Sequence, residues 1–79
     1  MKKNDFVKQL AEYCEFENQG FNLDTPFKSI EGYDSMAIIA MIAFTDEKFN
    51  KKLTAQQLMK LTDFKSLIVL IGEDNFEND

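Results

Sequence analysis

The sequence contains no histidine and no tryptophan, a single cysteine, a single proline and three glycines. Histidine is the usual general base near neutral pH and the commonest metal ligand, so its absence rules out a Ser/His/Asp or Cys/His catalytic machine. With Cys14 alone, no intramolecular disulfide can form. Cys14 follows Phe6 and Leu10 at four-residue steps, the spacing of an apolar helix face, which reads as a buried, inert thiol. There is no glycine-rich phosphate loop, and the stretch from Asp46 to Lys51 lacks the spaced acids and central glycine of a calcium loop. Long apolar runs are missing too. The longest, Met36 to Phe44, is far too short to cross a bilayer, and Met1-Lys2-Lys3-Asn4-Asp5 has no apolar segment of signal-peptide length behind it. A reducing, cytoplasmic setting without membrane insertion is expected.

Positive charge is scarce as well: nine Lys and Arg stand against fourteen Asp and Glu, a net charge of −5. Nucleic-acid recognition depends on cations neutralising phosphates, so that class is disfavoured and basic protein partners fit better. What is present suits a small folded domain. Apolar residues are 44% of the chain and charged residues 29%, too apolar for a disordered segment. A length of 79 residues allows one domain, residues 1–79, near the lower limit for a core without metal or disulfide support.

Periodicity organises that domain into helices. From Asn4 to Phe16, the residues Phe6, Val7, Leu10, Tyr13 and Cys14 recur at three- and four-residue steps, a first amphipathic helix. Glu17 to Asp24 is polar, carries Gly20, and reads as a long loop pinned to the core by Phe21, Leu23, Phe27 and Ile30. Thr25-Pro26 has the form of an N-cap followed by proline at the first position of a short helical turn. Asp34 or Ser35 can cap a second helix running to about Asn50. At 100° per residue, that helix is apolar on two sides. Ile38, Ile39, Ile42 and Phe49 form the expected core face, and Ala37, Ala40, Met41 and Phe44 a second stripe for solvent or a partner. Thr54 and Gln57 have capping-box spacing for a short third helix from Ala55 to Lys60, with Leu58 and Leu61 inward. Thr62 or Asp63 can cap a fourth. Its run Leu67-Ile68-Val69-Leu70-Ile71 would also suit a buried strand, but the upstream start signal, Gly72 as a stop and the lack of a second strand favour helix. Residues 73–79 read as a frayed acidic tail. The fold class expected is all-α, a four-helix bundle with a short third helix and a long first loop.

Gly32-Tyr33-Asp34-Ser35-Met36 opens the second helix, Asp46-Glu47-Lys48-Phe49 lies near its end, and Leu53, Leu61, Phe64, Leu67 and Ile71 follow at core spacing. This layout resembles the acyl carrier protein family, whose signature is Asp-Ser-Leu at the start of the second helix; here it reads Asp-Ser-Met. The resemblance covers about Asp5 to Gly72. It implies 4′-phosphopantetheine, derived from coenzyme A, attached as a phosphodiester to Ser35, with Asp34 helping a phosphopantetheinyl transferase engage. It implies a non-catalytic, monomeric carrier that tethers acyl intermediates as thioesters for acyl ligase, synthase or acyltransferase partners of fatty-acid-like or specialised biosynthesis. A helix N-terminus suits the added phosphate, because its unpaired N–H groups and dipole favour negative charge. Candidate partner contacts are Ala37, Ala40, Met41, Phe44, Asp46 and Glu47; candidates to line an acyl pocket are Ile39, Ile42, Leu61 and Phe64, each of which is otherwise simply core.

The chain departs from the family where general fatty-acid carriers place acids early on the second helix, because Ala37 and Ala40 stand there. That points to a specialised carrier whose encounters rely less on charge. Met36 also occurs where aminoacyl carriers, including D-alanyl carriers, have methionine, so an aminoacyl cargo is the alternative. A reading of another class is a helical protein-interaction domain, in which Ser35 is a cap and nothing is attached.

Overall fold

A computed structural model describes residues 1–16 and 20–77. Four α-helices follow one another: α1, Lys3–Tyr13; α2, Ser35–Phe49; α3, Ala55–Met59; and α4, Phe64–Ile71. Short 3₁₀ turns occupy Phe27–Ser29 and Glu73–Asn75, and no strand forms among the described residues. The architecture is the all-α bundle expected. Of the loop the sequence marks out, Glu17, Asn18 and Gln19 lie outside the described residues.

Local chemistry sets each boundary. α1 ends earlier than its apolar period, through a Schellman closure: the Phe16 N–H donates to the Ala11 carbonyl (3.0 Å) and the Glu15 N–H to the Glu12 carbonyl (3.1 Å). Glu15 takes the left-handed conformation (φ 60°) that glycine usually supplies there, so the stop carries no glycine signal in the sequence. α3 has the full capping box: the Gln57 N–H donates to Thr54 Oγ1 (3.2 Å) and the Thr54 N–H to Gln57 Oε1 (2.9 Å). Of the two candidate caps for α4, Asp63 does the work, accepting from the Ser66 N–H at 2.8 Å. Gly72, at φ 116°, stops that helix.

The turn at Thr25-Pro26 sits one residue later than expected. Pro26 is extended (ψ 133°) and is itself the cap of Phe27–Ser29. The Thr25 hydroxyl instead accepts from the Asn22 N–H (2.9 Å), while Asn22 Oδ1 accepts from the Asp24 N–H (2.8 Å), a local turn that competes with capping. The loop is stitched to the α3–α4 connection. The Phe27 N–H donates to the Thr62 carbonyl (2.8 Å) and the Lys65 N–H to the Leu23 carbonyl (3.0 Å). Phe27 and Ile30 are buried, and Phe21 and Leu23 are half-buried against the core, the anchoring expected of all four.

Burial reverses the two faces expected of α2. The second stripe is the core face: Ala37 is 5% exposed, Met41 0% and Phe44 1%, and Thr45 is fully buried beside them. Ile39, expected inside, is 58% exposed. Ile38, Ile42 and Phe49 pack half-buried against the core's edge. The reason is the position of α1. Phe44 meets Phe6 (ring centroids 5.8 Å apart) and stands edge-on to Tyr13 (5.4 Å), and these aromatic contacts select which apolar stripe turns inward. The Thr45 hydroxyl donates to the Met41 carbonyl at 2.8 Å, so its burial leaves no polar atom stranded.

The acidic tail, expected to fray, is packed as far as Glu77. Phe76 lies edge-on to Phe6 (5.1 Å) and against Phe49 (5.0 Å), and the Glu77 N–H donates to the Met1 carbonyl (2.9 Å). A Lys3–Glu73 ion pair (3.5 Å) adds a surface contact between the two ends. Charge in the tail concealed its one apolar anchor, Phe76. Asn78 and Asp79 lie outside the described residues.

Candidate functional site at the start of helix two

The loop ends in Glu31-Gly32-Tyr33, with Gly32 at φ 88°, a conformation open to glycine. Tyr33 is held by stacking on the buried Phe27 (centroids 5.2 Å apart, planes 13° apart). This anchors the chain immediately before α2. Asp34 then adopts an extended backbone, and its Oδ1 accepts from the Ala37 N–H at 3.1 Å; the Ile38 N–H donates to the Asp34 carbonyl at 3.1 Å. Asp34 is therefore the N-cap, and Ser35 is the first helical residue.

That assignment leaves Ser35 unused by the fold. Its side chain is exposed, and its hydroxyl makes no hydrogen bond to any described residue. The N–H groups of Ser35 and Met36 lie outside the helical ladder at the positive end of α2. An exposed primary hydroxyl on a rigid helix end, with backbone donors beside it, is suited to carry a phosphodiester. The cap is supplied by Asp34, and the Ser35 side chain takes no part in it.

From this end an exposed stripe runs along α2. Met36 (69% exposed), Ile39 and Ala43 lie at three- and four-residue steps, and exposed Asp46 and Glu47 follow one turn later. Of the sequence-derived partner contacts, Asp46 and Glu47 are exposed and Ala40 is half-buried, but Ala37, Met41 and Phe44 are core and cannot meet a partner in the folded chain. The apolar side chains that this stripe exposes are Met36, Ile39 and Ala43. Met36 and Ala43 belong to neither apolar face read from the sequence, and Ile39 was expected inside, so this stripe was not anticipated.

Of the residues expected to line an acyl pocket, Ile39 faces solvent, whereas Ile42, Leu61 and Phe64 pack with the common core. Phe64 is fully buried, its ring edge-on to Phe27 at 5.0 Å. Open space lies instead on the α1 side of α2, in a cleft of about 320 Å³ lined by Tyr13, Cys14, Gly32, Asp34, Met36 and Ala40 among others. Cys14 is half-buried there, its thiol 3.9 Å from the Ala37 carbonyl, and burial pushes the thiol up from 9.0 to about 12. It is protonated and inert at neutral pH, as the sequence implies.

No group of three or more Cys, Asp or Glu able to hold a metal occurs among the described residues, and no described helix is long and apolar enough to cross a membrane. No curated protein and no solved structure matches the chain significantly. The family described as the phosphopantetheine attachment site does match, over residues 4–71, the span that contains all four helices but for the first residue of α1. Carrier domains of this family bear covalently attached 4′-phosphopantetheine, perform no catalysis themselves, and interact with phosphopantetheinyl transferases and partner enzymes. The helical bundle, the exposed serine at its second helix and the family match together make this chain a member of the phosphopantetheine-carrier family.

Proposed function

We propose that Ser35 is the attachment residue and that the chain carries acyl intermediates as thioesters for a dedicated set of biosynthetic enzymes. The observation that supports this most is the division of labour at the helix start, where Asp34 caps α2 and the Ser35 hydroxyl is left exposed and unbonded. In the attachment step, Ser35 Oγ forms a bond to phosphorus as the diphosphate bond of coenzyme A breaks. Adenosine 3′,5′-bisphosphate leaves, and the serine proton passes to a base of the transferase. The attached arm supplies a terminal thiol that holds the cargo. The chain's own residues keep the serine at a fixed, accessible point and offer Asp34 to the transferase.

Partner enzymes meet the stripe Met36, Ile39 and Ala43, flanked by Ala40 and by Asp46 and Glu47. Apolar contact contributes more here than charge, because Ala37 is buried and Ala40 half-buried at positions where acids would otherwise steer encounter. This supports a specialised carrier over a general one. The attachment is tested by incubating the protein and its Ser35→Ala variant with coenzyme A and a broad-specificity phosphopantetheinyl transferase, then measuring intact mass. A gain of one phosphopantetheine in the first and none in the second supports the reading. Offering the loaded protein to acyl and aminoacyl ligases then separates the two cargo classes, and exclusive aminoacylation would replace the acyl reading with the aminoacyl one.

A further inference from the structure

Beside the start of α2, the chain leaves space that it does not fill. The cleft of about 320 Å³ between the end of α1 and the first turns of α2 owes its room to two methyl side chains, Ala37 and Ala40, which both line it. A longer side chain at position 40 would close it. Its volume falls at the low end of the roughly 300–1,000 Å³ typical of small-molecule sites. Its lining mixes a phenol, a thiol and the two carboxylates of Glu15 and Asp34 with the thioether of Met36 and the alanine methyls. That mixture matches a flexible ligand in which amides and hydroxyls alternate with methylenes. On the other side of α2 the corresponding space is occupied: Phe64 is fully buried against Phe27, and Ile42 and Leu61 pack on the same core.

We infer that the phosphopantetheine arm of this chain rests in the α1–α2 cleft, against Cys14 and Ala40, and does not enter the bundle between α2 and α3. The inference rests on attachment at Ser35. Asp34 and Met36, the residues on either side of Ser35, both line the cleft. A tethered arm therefore meets it at high effective concentration, and weak contacts suffice. Ser35 itself does not line the cleft, so the arm reaches it by passing over Asp34 or Met36. The two alanines then serve to make room for the arm, and only a short cargo fits with it.

Cys14 is the only cysteine, so its reactivity reports occupancy once the arm's own thiol is blocked. Coenzyme A capped as a methyl thioether is used as transferase substrate, single attachment is verified by intact mass, and the rate of Cys14 alkylation by N-ethylmaleimide at pH 8 is compared with that of the unmodified protein. The expected result is a slowing of about fivefold or more, with amide NMR shifts concentrated at Tyr13, Cys14, Gly32 and Ala40. Ser35→Asp, which adds charge without an arm, is expected to change the rate by less than about twofold. Ala40→Phe, checked for folding by circular dichroism, is expected to lose the protection on attachment. An unchanged alkylation rate on the singly modified protein, or shifts centred on Ile42 and Leu61, overturns the inference while leaving attachment at Ser35 intact. Failure of the mass to increase overturns both.

Discussion

Asp34 Oδ1 accepts a hydrogen bond from the Ala37 backbone N–H at 3.1 Å, which makes Asp34 the cap of α2 and frees the neighbouring Ser35. With Ser35 as the proposed attachment residue, structural and functional demands on this Asp-Ser pair fall on different atoms, and substitution can separate them. Asp34→Asn retains a good capping side chain and is expected to keep stability within about 0.5 kcal/mol, while arm transfer slows if the carboxylate serves the transferase. Asp34→Ala loses the cap as well, at about 1 kcal/mol. Urea titration and transfer rates on the two variants read these effects independently.

The reversed faces of α2 give an opposite pair of outcomes. Ile39→Glu changes an exposed position and is expected to leave stability within about 0.5 kcal/mol while impairing loading by partner enzymes. Met41→Glu places a carboxylate at a fully buried position and is expected to unfold the domain or to destabilise it by more than about 3 kcal/mol. Circular dichroism and loading assays on both variants check the assignment.

How much was legible in the sequence depended on whether one residue or a neighbour decided the matter. The capping box at Thr54 and Gln57, a cap for α4 at Thr62 or Asp63 and the Gly72 stop were readable because each is a local device with a residue signature; which of the two residues caps α4 was not. The α1 stop was not, because Glu15 fills the left-handed position without glycine's mark. The apolar faces of α2 were both visible, but choosing between them needed the location of Phe6 and Tyr13 in space. Ser35 and Asp34 were legible as a motif; which of them caps the helix was not. The docked tail was hidden because Phe76 is a single aromatic among acids, and its partners Phe6 and Phe49 are distant in sequence.

Phe76 therefore contributes stability that its acidic neighbours do not suggest. Phe76→Ala removes two ring contacts at a half-buried position and is expected to cost about 1.5–3 kcal/mol, measured by urea unfolding. Loss of the Lys3–Glu73 ion pair, in Glu73→Gln, is expected to cost less than about 1 kcal/mol.

Glu15 sits at φ 60° to close α1, where a side chain is strained and glycine is not. Glu15→Gly is accordingly expected to raise stability by about 0.5–1 kcal/mol, against the usual penalty of introducing glycine. Thermal unfolding of the two proteins side by side tests this.

Burial raises the Cys14 thiol from 9.0 to about 12, so in this range the folded chain holds a proton that the unfolded chain has released. The associated stability is fully present below about pH 9 and is lost as pH rises toward about 12. Tyr33 is also raised, first by burial and second by the charge of Cys14, and acts in the same direction. Stability is expected to fall between pH 9 and pH 11 in urea titrations, with a shallower fall in Cys14→Ala.

The most direct measurement is localisation of the arm by fragment-ion mass spectrometry after transferase treatment, since Ser29 and Ser66 offer the chain two other serine hydroxyls. Ser29 donates to the Pro26 carbonyl at 2.7 Å and Ser66 to the Asp63 carbonyl at 2.7 Å, whereas Ser35 is exposed and unbonded. Fragments bearing a single phosphopantetheine on Ser35 are the predicted result. Modification of Ser29 or Ser66, or no modification by a transferase shown to be active, would contradict it.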